Sequence, residues 1–265
     1  MSEPERSEAS ELSVAQRARG SAEPGEADRY QRIYRERAED YDRLIAAEDA
    51  DRHLLPAIEE VAPRLERVLD VGAGTGRITR LLAARGAEVL AIDRSIAMLR
   101  IAQRHRAGAT LAVADAAALP VAGGWANAAI AGWVLGHQRS WNPDGWRSSM
   151  ARCLDEMDRA LAPGGVAIVI ETLGTGVETP RVSSGLADYH RWLEEERGFA
   201  RRELRTDYLF ASEEEARSLC GFFFGDAVAV RGRRVPECTG LWWRVSGACR
   251  TDRASHPPLR RVASS

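Results

Sequence analysis

Cysteine is scarce in this sequence and nowhere arranged for chemistry. The four residues, at 153, 220, 238 and 249, form no C-x-x-C pair and have no neighbouring histidine at ligand spacing, so neither a disulfide framework nor a zinc site is indicated. Long apolar runs are missing too. None approaches the roughly 18 to 20 residues of a membrane span, and the opening MSEPERSEAS lacks the apolar core of a secretory signal. A cytoplasmic protein with no membrane partner is expected. There is no basic excess either: 37 Lys and Arg against 39 Asp and Glu leave a formal net charge of -2. That argues against a large nucleic-acid surface, although a local patch stays open. What remains is a chain of 265 residues, 45% hydrophobic, long enough to bury a sizeable core as one domain with appendages.

Residues 68–79, VLDVGAGTGRIT, carry the strongest signal. An apolar run (Val68, Leu69, Val71) enters a loop with Gly72, Gly74 and Gly76, and Ile78, Leu81 and Leu82 then recur at helical spacing, so strand, tight turn and helix are expected. Alternate glycines let the backbone turn sharply and approach a ligand, and they set consecutive N–H groups beside a helix N-terminus. Asp93 closes the next apolar run, Val89 to Ile92. A carboxylate about 20 residues after a glycine loop is placed to accept both hydroxyls of a ribose. Dinucleotide sites use G-x-G-x-x-G over a pyrophosphate; here the pattern is G-x-G-x-G, preceded by Asp70. A carboxylate there repels pyrophosphate and suits a cationic ligand with an amino group, such as S-adenosylmethionine (SAM).

At this point the sequence resembles the class I SAM-dependent methyltransferases, specifically a type 11-like methyltransferase domain, whose first motif is an acidic residue followed by G-x-G-x-G. The resemblance implies SAM as cofactor and S-adenosylhomocysteine as product. Asp70 and the backbone of Gly72, Ala73, Gly74 and Gly76 would hold the methionine part, Asp93 the ribose, and Asp115 the adenine amino group, with the Ala116 N–H on a ring nitrogen. Arg94, Met98 and Trp133 are counted with the same cofactor site. Asp93-x-Ser95-x-x-Met98-Leu99 and the Leu161-x-Pro163-Gly164-Gly165 turn are similar to the family, whereas Asn127 stands where relatives usually carry aspartate. Related enzymes place an N-terminal helix with a Tyr-Asp pair over the cofactor, and Tyr41-Asp42 looks like that pair. The matches run from about Tyr30 to Glu171.

The implied fold is α/β: a doubly wound, Rossmann-like, seven-stranded sheet, mostly parallel with the last strand antiparallel, helices on both faces and a helical insertion after the fifth strand. Residues 1–27, rich in Ser, Glu, Arg, Ala, Pro and Gly, read as a disordered tail. The domain is expected over 28–246, with lid helices at 28–62. Tyr30, Ile33, Tyr34, Arg37, Tyr41, Leu44 and Ile45 mark one helical stripe, and His53 to Val61 a shorter helix in which His53 is merely solvated. Ser95 is a good N-cap, Thr110 to Val113 the third strand, and the buried-looking NAAIAGWV at 127–134 the fourth. Asn142-Pro143 opens a long helix with its stripe at Trp146, Met150, Leu154, Met157 and Leu161, and Val166 to Ile170 is the fifth strand. In the insertion, 172–225, Leu186, Tyr189, His190 and Leu193 suggest a helix, Leu204 to Phe210 an extended piece, and Ser212 with Glu215 a capping box opening a helix toward Phe222 to Phe224. Ala227 to Val230 and Leu241 to Val245 read as the closing hairpin, and 247–265 as a second tail.

Reactive groups in such sheets gather where the strands end at their carboxyl edge. His137, Glu171 and Tyr41 are the candidates to orient and deprotonate an acceptor, with His137 favoured for its unperturbed pKa near 6.5. No metal is called for. Three readings stay open. A methyltransferase acting on a small molecule, through in-line displacement, fits the aromatic insertion and near-neutral charge; an RNA or protein methyltransferase would want a basic surface; a SAM-binding protein that transfers no methyl would leave no S-adenosylhomocysteine. The acceptor atom and the choice between monomer and homodimer are not legible.

Overall fold

The computed structural model describes residues 26–105, 108–182 and 184–247. The two expected tails lie outside these residues except for Glu26, Ala27 and Gly247, and helix already begins at Glu26. In chain order the elements are α1 (Glu26–Glu36), α2 (Ala38–Ala46), α3 (Leu54–Val61), β1 (Arg67–Val71), α4 (Arg77–Ala84), β2 (Glu88–Asp93), α5 (Ile96–Arg104), β3 (Thr110–Val113), β4 (Ala126–Gly132), α6 (Gln138–Trp141), α7 (Trp146–Ala160), β5 (Leu161–Thr175), α8 (Ser184–Glu195), β6 (Ala200–Arg205), β7 (Tyr208–Leu209), α9 (Glu213–Phe224), β8 (Arg234–Val235) and β9 (Glu237–Val245). One seven-stranded sheet runs β3-β2-β1-β4-β5-β9-β6, and β7 and β8 form a separate ribbon.

The pairs among β1 to β5 are parallel, while β9 is antiparallel to both its neighbours. The first residues of β9 therefore share an edge with the last residues of the parallel strands. Both faces of the sheet are covered, as a parallel sheet requires. Leu69 and Val71 point to one side, against Trp146, Met150 and Leu154 of α7. Val68 points to the other, with Ile78 and Leu82 of α4 and Leu54 and Ile58 of α3. Each such buried side chain contributes about 1.5 to 3 kcal/mol relative to exposure.

Several expectations need correction. The N-terminal stripe is carried by two helices, because the backbone departs from helical geometry at Arg37 (φ -126, ψ 30). His53 is bonded rather than simply solvated: its ring meets the Arg205 carbonyl at 2.9 Å, and its N–H donates to Asp49. The long helix starts at Trp146, four residues late, because the Asn142 side chain accepts the Gly145 N–H and forms a turn of its own. Asn127, the departure from the family pattern, accepts the Arg67 N–H at 2.9 Å and stitches β4 to the start of β1. The closing hairpin is misplaced in the sequence reading. β9 pairs with Ala200–Arg205, and 227–230 is no strand; Val228 and Val230 pack against the cluster beneath α9. The helical segment after the fifth strand is thus interrupted by β6.

Candidate functional site

The loop between β1 and α4 sets the floor of the site. Gly72, Gly74 and Gly76 have φ of 71°, 57° and 86°, a region that side-chain-bearing residues enter only with strain. A Cβ on Gly72 would lie 2.4 Å from a Val134 methyl, so this position is needed for packing. On Gly74 it would meet nothing within 4 Å, so this backbone borders open space where a ligand can approach. The Ala73 N–H donates to the Ile92 carbonyl at 2.8 Å and fixes the loop beside β2.

Asp93, at the end of β2, accepts the Gly74 N–H on Oδ2 at 2.9 Å and the Ser95 N–H on Oδ1 at 2.7 Å. Burial raises its pKa, opposed by these N–H bonds. Each oxygen keeps a second lone pair, enough for two hydroxyl donors. Asp115 stands exposed at the rim after β3, bonded to the Ala117 N–H at 2.9 Å and 3.8 Å from Arg94, with Ala116 half-buried beside it. Asp93, Arg94, Asp115 and Ala116 thus follow the ends of neighbouring strands along one edge.

Two expected cofactor residues have other partners. Asp70 is 1% exposed, and the Thr79 hydroxyl donates to its Oδ2 at 2.5 Å, tying β1 to α4. Burial, then repulsion from Asp93 opposed by that bond, puts its carboxyl at about 6. Met98 is buried with Ala38 and Ile101 under Tyr34 and Tyr41, a packing role.

Above the edge sits an aromatic roof. Tyr34 of α1 shares a 2.8 Å hydrogen bond with His137 Nε2. Tyr30 lies 5.3 Å from the His137 ring, tilted to it, and Trp141 stacks on it at 5.1 Å. Tyr41 packs edge-on to Tyr34 at 5.2 Å and meets Phe223 of α9 at 5.4 Å. Burial drives His137 down to about 4, so it is neutral at pH 7. The unperturbed value assumed for it does not apply. Burial also raises Tyr34 and Tyr41 well above the ordinary phenol, and both feel the Asp93 charge. The Tyr41-Asp42 pair is split: Tyr41 turns to the roof, while Asp42 pairs with His105 of α5 at 2.6 Å. Of the stripe's tyrosines it is Tyr34, rather than the Tyr41 singled out from the sequence, whose hydroxyl meets His137.

Glu171 is buried in β5. Its Oε1 accepts the Gly136 N–H at 2.9 Å and the Tyr189 hydroxyl at 3.3 Å, and burial lifts it to about 7. Its carboxylate braces the turn that presents His137. A second polar group was not foreseen at all. The Arg77 guanidinium pairs with buried Glu48 and lies over the Trp133 ring, 3.8 Å from its centroid. Glu48 also accepts the Thr206 hydroxyl, and Glu237 at the start of β9 accepts the Thr172 hydroxyl at 2.7 Å. Trp133 holds an unusual positive φ of 54°. Among the described residues no three His, Cys, Asp or Glu side chains gather as for a metal, and no helix is long and apolar enough to cross a membrane.

Comparison with known proteins gives a consistent picture. Residues 69–169 match a family described as "Methyltransferase domain". The malonyl-[acyl-carrier protein] O-methyltransferase of Methylococcus capsulatus is 35% identical over 131 residues, 47% of this chain and 44% of that protein. The demethylmenaquinone methyltransferase of Renibacterium salmoninarum is 36% identical over 106 residues, 40% and 41%. The chain thus spans less than half the length of these relatives. Among solved structures, a Haemonchus contortus phosphoethanolamine N-methyltransferase 2 with S-adenosylhomocysteine aligns at TM-score 0.53 and 16% identity, covering 83% of this chain and 59% of that one. A type II methyltransferase structure from Anaeromyxobacter dehalogenans aligns at 0.50 and 21%, covering 73% and 95%. At such identities these two speak for the fold.

Proposed function

We propose, from the match of residues 69–169 to a methyltransferase domain, that the chain is a class I SAM-dependent methyltransferase and that it methylates a small molecule held under the aromatic roof. When bound, SAM supplies a methyl group already activated by its sulfonium. The protein's own work is to hold a nucleophile in line and exclude water. The observation that carries the reading is Asp93: its carboxylate is fixed by the Gly74 and Ser95 N–H groups, with lone pairs to spare, beside the open face of Gly74. The acceptor's body would lie against Tyr34, Tyr41 and Phe223, rings that favour a planar or apolar molecule. His137, kept neutral by burial, would accept a hydrogen bond from the nucleophilic O–H or N–H once Tyr34 yields its place. So weak a base suits an acceptor that loses its proton only as the new bond forms. Glu171 keeps the His137 turn in place.

Calorimetric titration with SAM, S-adenosylhomocysteine and NAD tests the cofactor assignment. The two adenosyl ligands should bind and NAD should not. Asp93→Ala removes charge-assisted hydrogen bonds worth about 1.5 to 3 kcal/mol, so binding should weaken roughly ten- to over a hundredfold. Unchanged affinity in a folded variant would remove Asp93 from the site.

A further inference from the structure

Ser95 reaches from the cofactor edge to the aromatic roof. Its N–H donates to Asp93 Oδ1 at 2.7 Å, and its hydroxyl accepts the Met98 N–H at 3.4 Å, capping α5. The same hydroxyl has a second partner: it donates to the Tyr34 carbonyl of α1 at 3.2 Å. The break at Arg37 makes that carbonyl available. The last four carbonyls of a helix have no donor within it. In α1 the Arg37 N–H takes the Ile33 carbonyl, the backbone then leaves helical geometry, and the Tyr34 carbonyl is met by Ser95. At the other end of the same residue, the Tyr34 hydroxyl meets His137 Nε2 at 2.8 Å. Hydrogen bonds therefore lead from Asp93, which also holds the Gly74 N–H, through Ser95 and Tyr34 to His137. Beyond the ring contacts of Tyr30 and Tyr34, α1 is lightly held. Among its described side chains only Ile33 is buried, and Arg29 adds one bond to the Phe222 carbonyl at 2.9 Å.

A helix with so little buried surface lies at the low-stability end of a fold and opens locally, so its few ties decide how often it does. We propose that Ser95 is a positioning residue that couples the filling of the ribose site to the placement of α1, and through Tyr34 to the acceptor side of the site. The coupling rests on the SAM reading above. Asp93 and Ser95 share the turn between β2 and α5. Hydroxyl donors on Asp93 still that turn, and a helix hung from it loses motion that the empty site allows, a coupling through order that needs no displacement. Because Ser95 holds the main chain, the Tyr34 side chain can leave His137 for an acceptor while α1 stays in place and keeps water out.

Hydrogen exchange on the full chain, with and without saturating S-adenosylhomocysteine, tests the coupling. In the wild type the ligand should slow exchange across Tyr30 to Glu36 at least about fivefold. Ser95→Ala keeps the N–H on Asp93 and should still bind S-adenosylhomocysteine, yet the slowing of α1 should fall below about twofold. Ser95→Thr, which restores a hydroxyl, should recover it. Loss of the cap alone has a different signature: exchange quickens in the first turn of α5 while the ligand still slows α1, and that result overturns the coupling. Glycine replaces serine as a cap at little cost, so Ser95→Gly decides the same question should Ser95→Ala fail to fold. Wild-type protein that binds S-adenosylhomocysteine without slowing α1 also overturns the coupling and leaves the SAM reading standing. Wild-type protein that binds none sinks the SAM reading, and the coupling with it.

Discussion

The hydrogen bond between Tyr34 and His137 joins the N-terminal helix to the turn after β4, and a double-mutant cycle measures it. Tyr34→Phe removes the hydroxyl and keeps the ring; His137→Phe removes both nitrogens and keeps a ring against Tyr30 and Trp141. Each single change leaves the other partner unpaired in a largely buried place. An orphaned polar group costs about 1 to 3 kcal/mol, whereas replacing both partners with apolar groups of similar shape is nearly neutral. Each single variant should therefore lose about 1 to 3 kcal/mol, and the double variant, being nearly neutral, should fall short of the sum of the two by about 2 to 6 kcal/mol. With a urea m-value near 3 kcal/mol/M, the single variants' midpoints fall by roughly 0.3 to 1 M. Hydrogen exchange across Tyr30 to Glu36 should quicken in Tyr34→Phe, because the tie to the sheet edge is gone. Additivity within about 0.5 kcal/mol would refute the coupling, and with it the idea that an acceptor must displace Tyr34 to reach His137.

Two further outcomes concern stability. His190 is buried against Trp242 at 4.5 Å, both ring nitrogens lack partners among the described residues, and burial lowers it to about 4. Its folded pKa lies below the unfolded value, so the unfolded chain takes up the proton first and stability, complete above pH 6.5, drains as pH falls toward 4. A gap of roughly 2.5 units corresponds to about 3 kcal/mol. His137, depressed to the same value, adds a slope of the same sign. His190→Phe should raise the urea midpoint at pH 7 and lessen the loss of stability between pH 6.5 and 4; an unchanged loss, or a His190 titration near 6.5 by NMR, would contradict this. The glycine loop gives a contrasting pair. Gly72→Ala adds left-handed strain of about 1 to 2 kcal/mol to overlap with Val134 worth about 1 to 3 kcal/mol, so thermal unfolding should reveal a badly destabilised protein. Gly74→Ala carries only the strain and should melt about 2 to 8 °C lower, yet lose S-adenosylhomocysteine binding because its Cβ enters the ligand's space. The reverse ranking would overturn the roles of the two glycines.

The parts of the fold that could be read from sequence are those whose signals are local. β1, the glycine loop, α4, β2 and the Ser95 cap sit within 40 residues of one another and use period, turn chemistry and capping. β3 falls on its expected residues, and the Leu-x-Pro-Gly-Gly turn is visible as a loop-out between Leu161, opposite Ala126, and Val166, opposite Ala128. β6 was missed because it is an edge strand. Its sequence, ARRELR, keeps charged side chains outward, with Arg201 and Arg202 paired to Glu194, Glu203 and Glu60. Edge strands are held polar against stray pairing, so an apolar run such as Ala227 to Val230 is the more tempting choice and the wrong one. The break at Arg37 was hidden for the opposite reason. The bonds from Arg37 N–H to Ile33 and from Tyr41 N–H to Arg37 keep the side-chain stripe in phase across the kink.

The site divides in the same way. Asp93 and Asp115 are strand-end residues, and strand ends are local. Arg77, Glu48 and Glu237 come from three distant places in the chain, and no periodicity joins them; only the antiparallel return of β9 brings Glu237 to that edge. The neutrality of His137 is equally a tertiary property, since it is the burial of the ring, not the residue type, that sets its charge. Asp70 is different, because the information was present. Side chains alternate along a strand, so Asp70 must face the same side as Val68, where α4 packs, and a carboxylate on that side will seek a donor on that helix before it meets a ligand. Thr79, one turn into α4, is that donor. The acidic residue before the glycines then acts by fixing the angle between strand and helix, and hence the loop's shape.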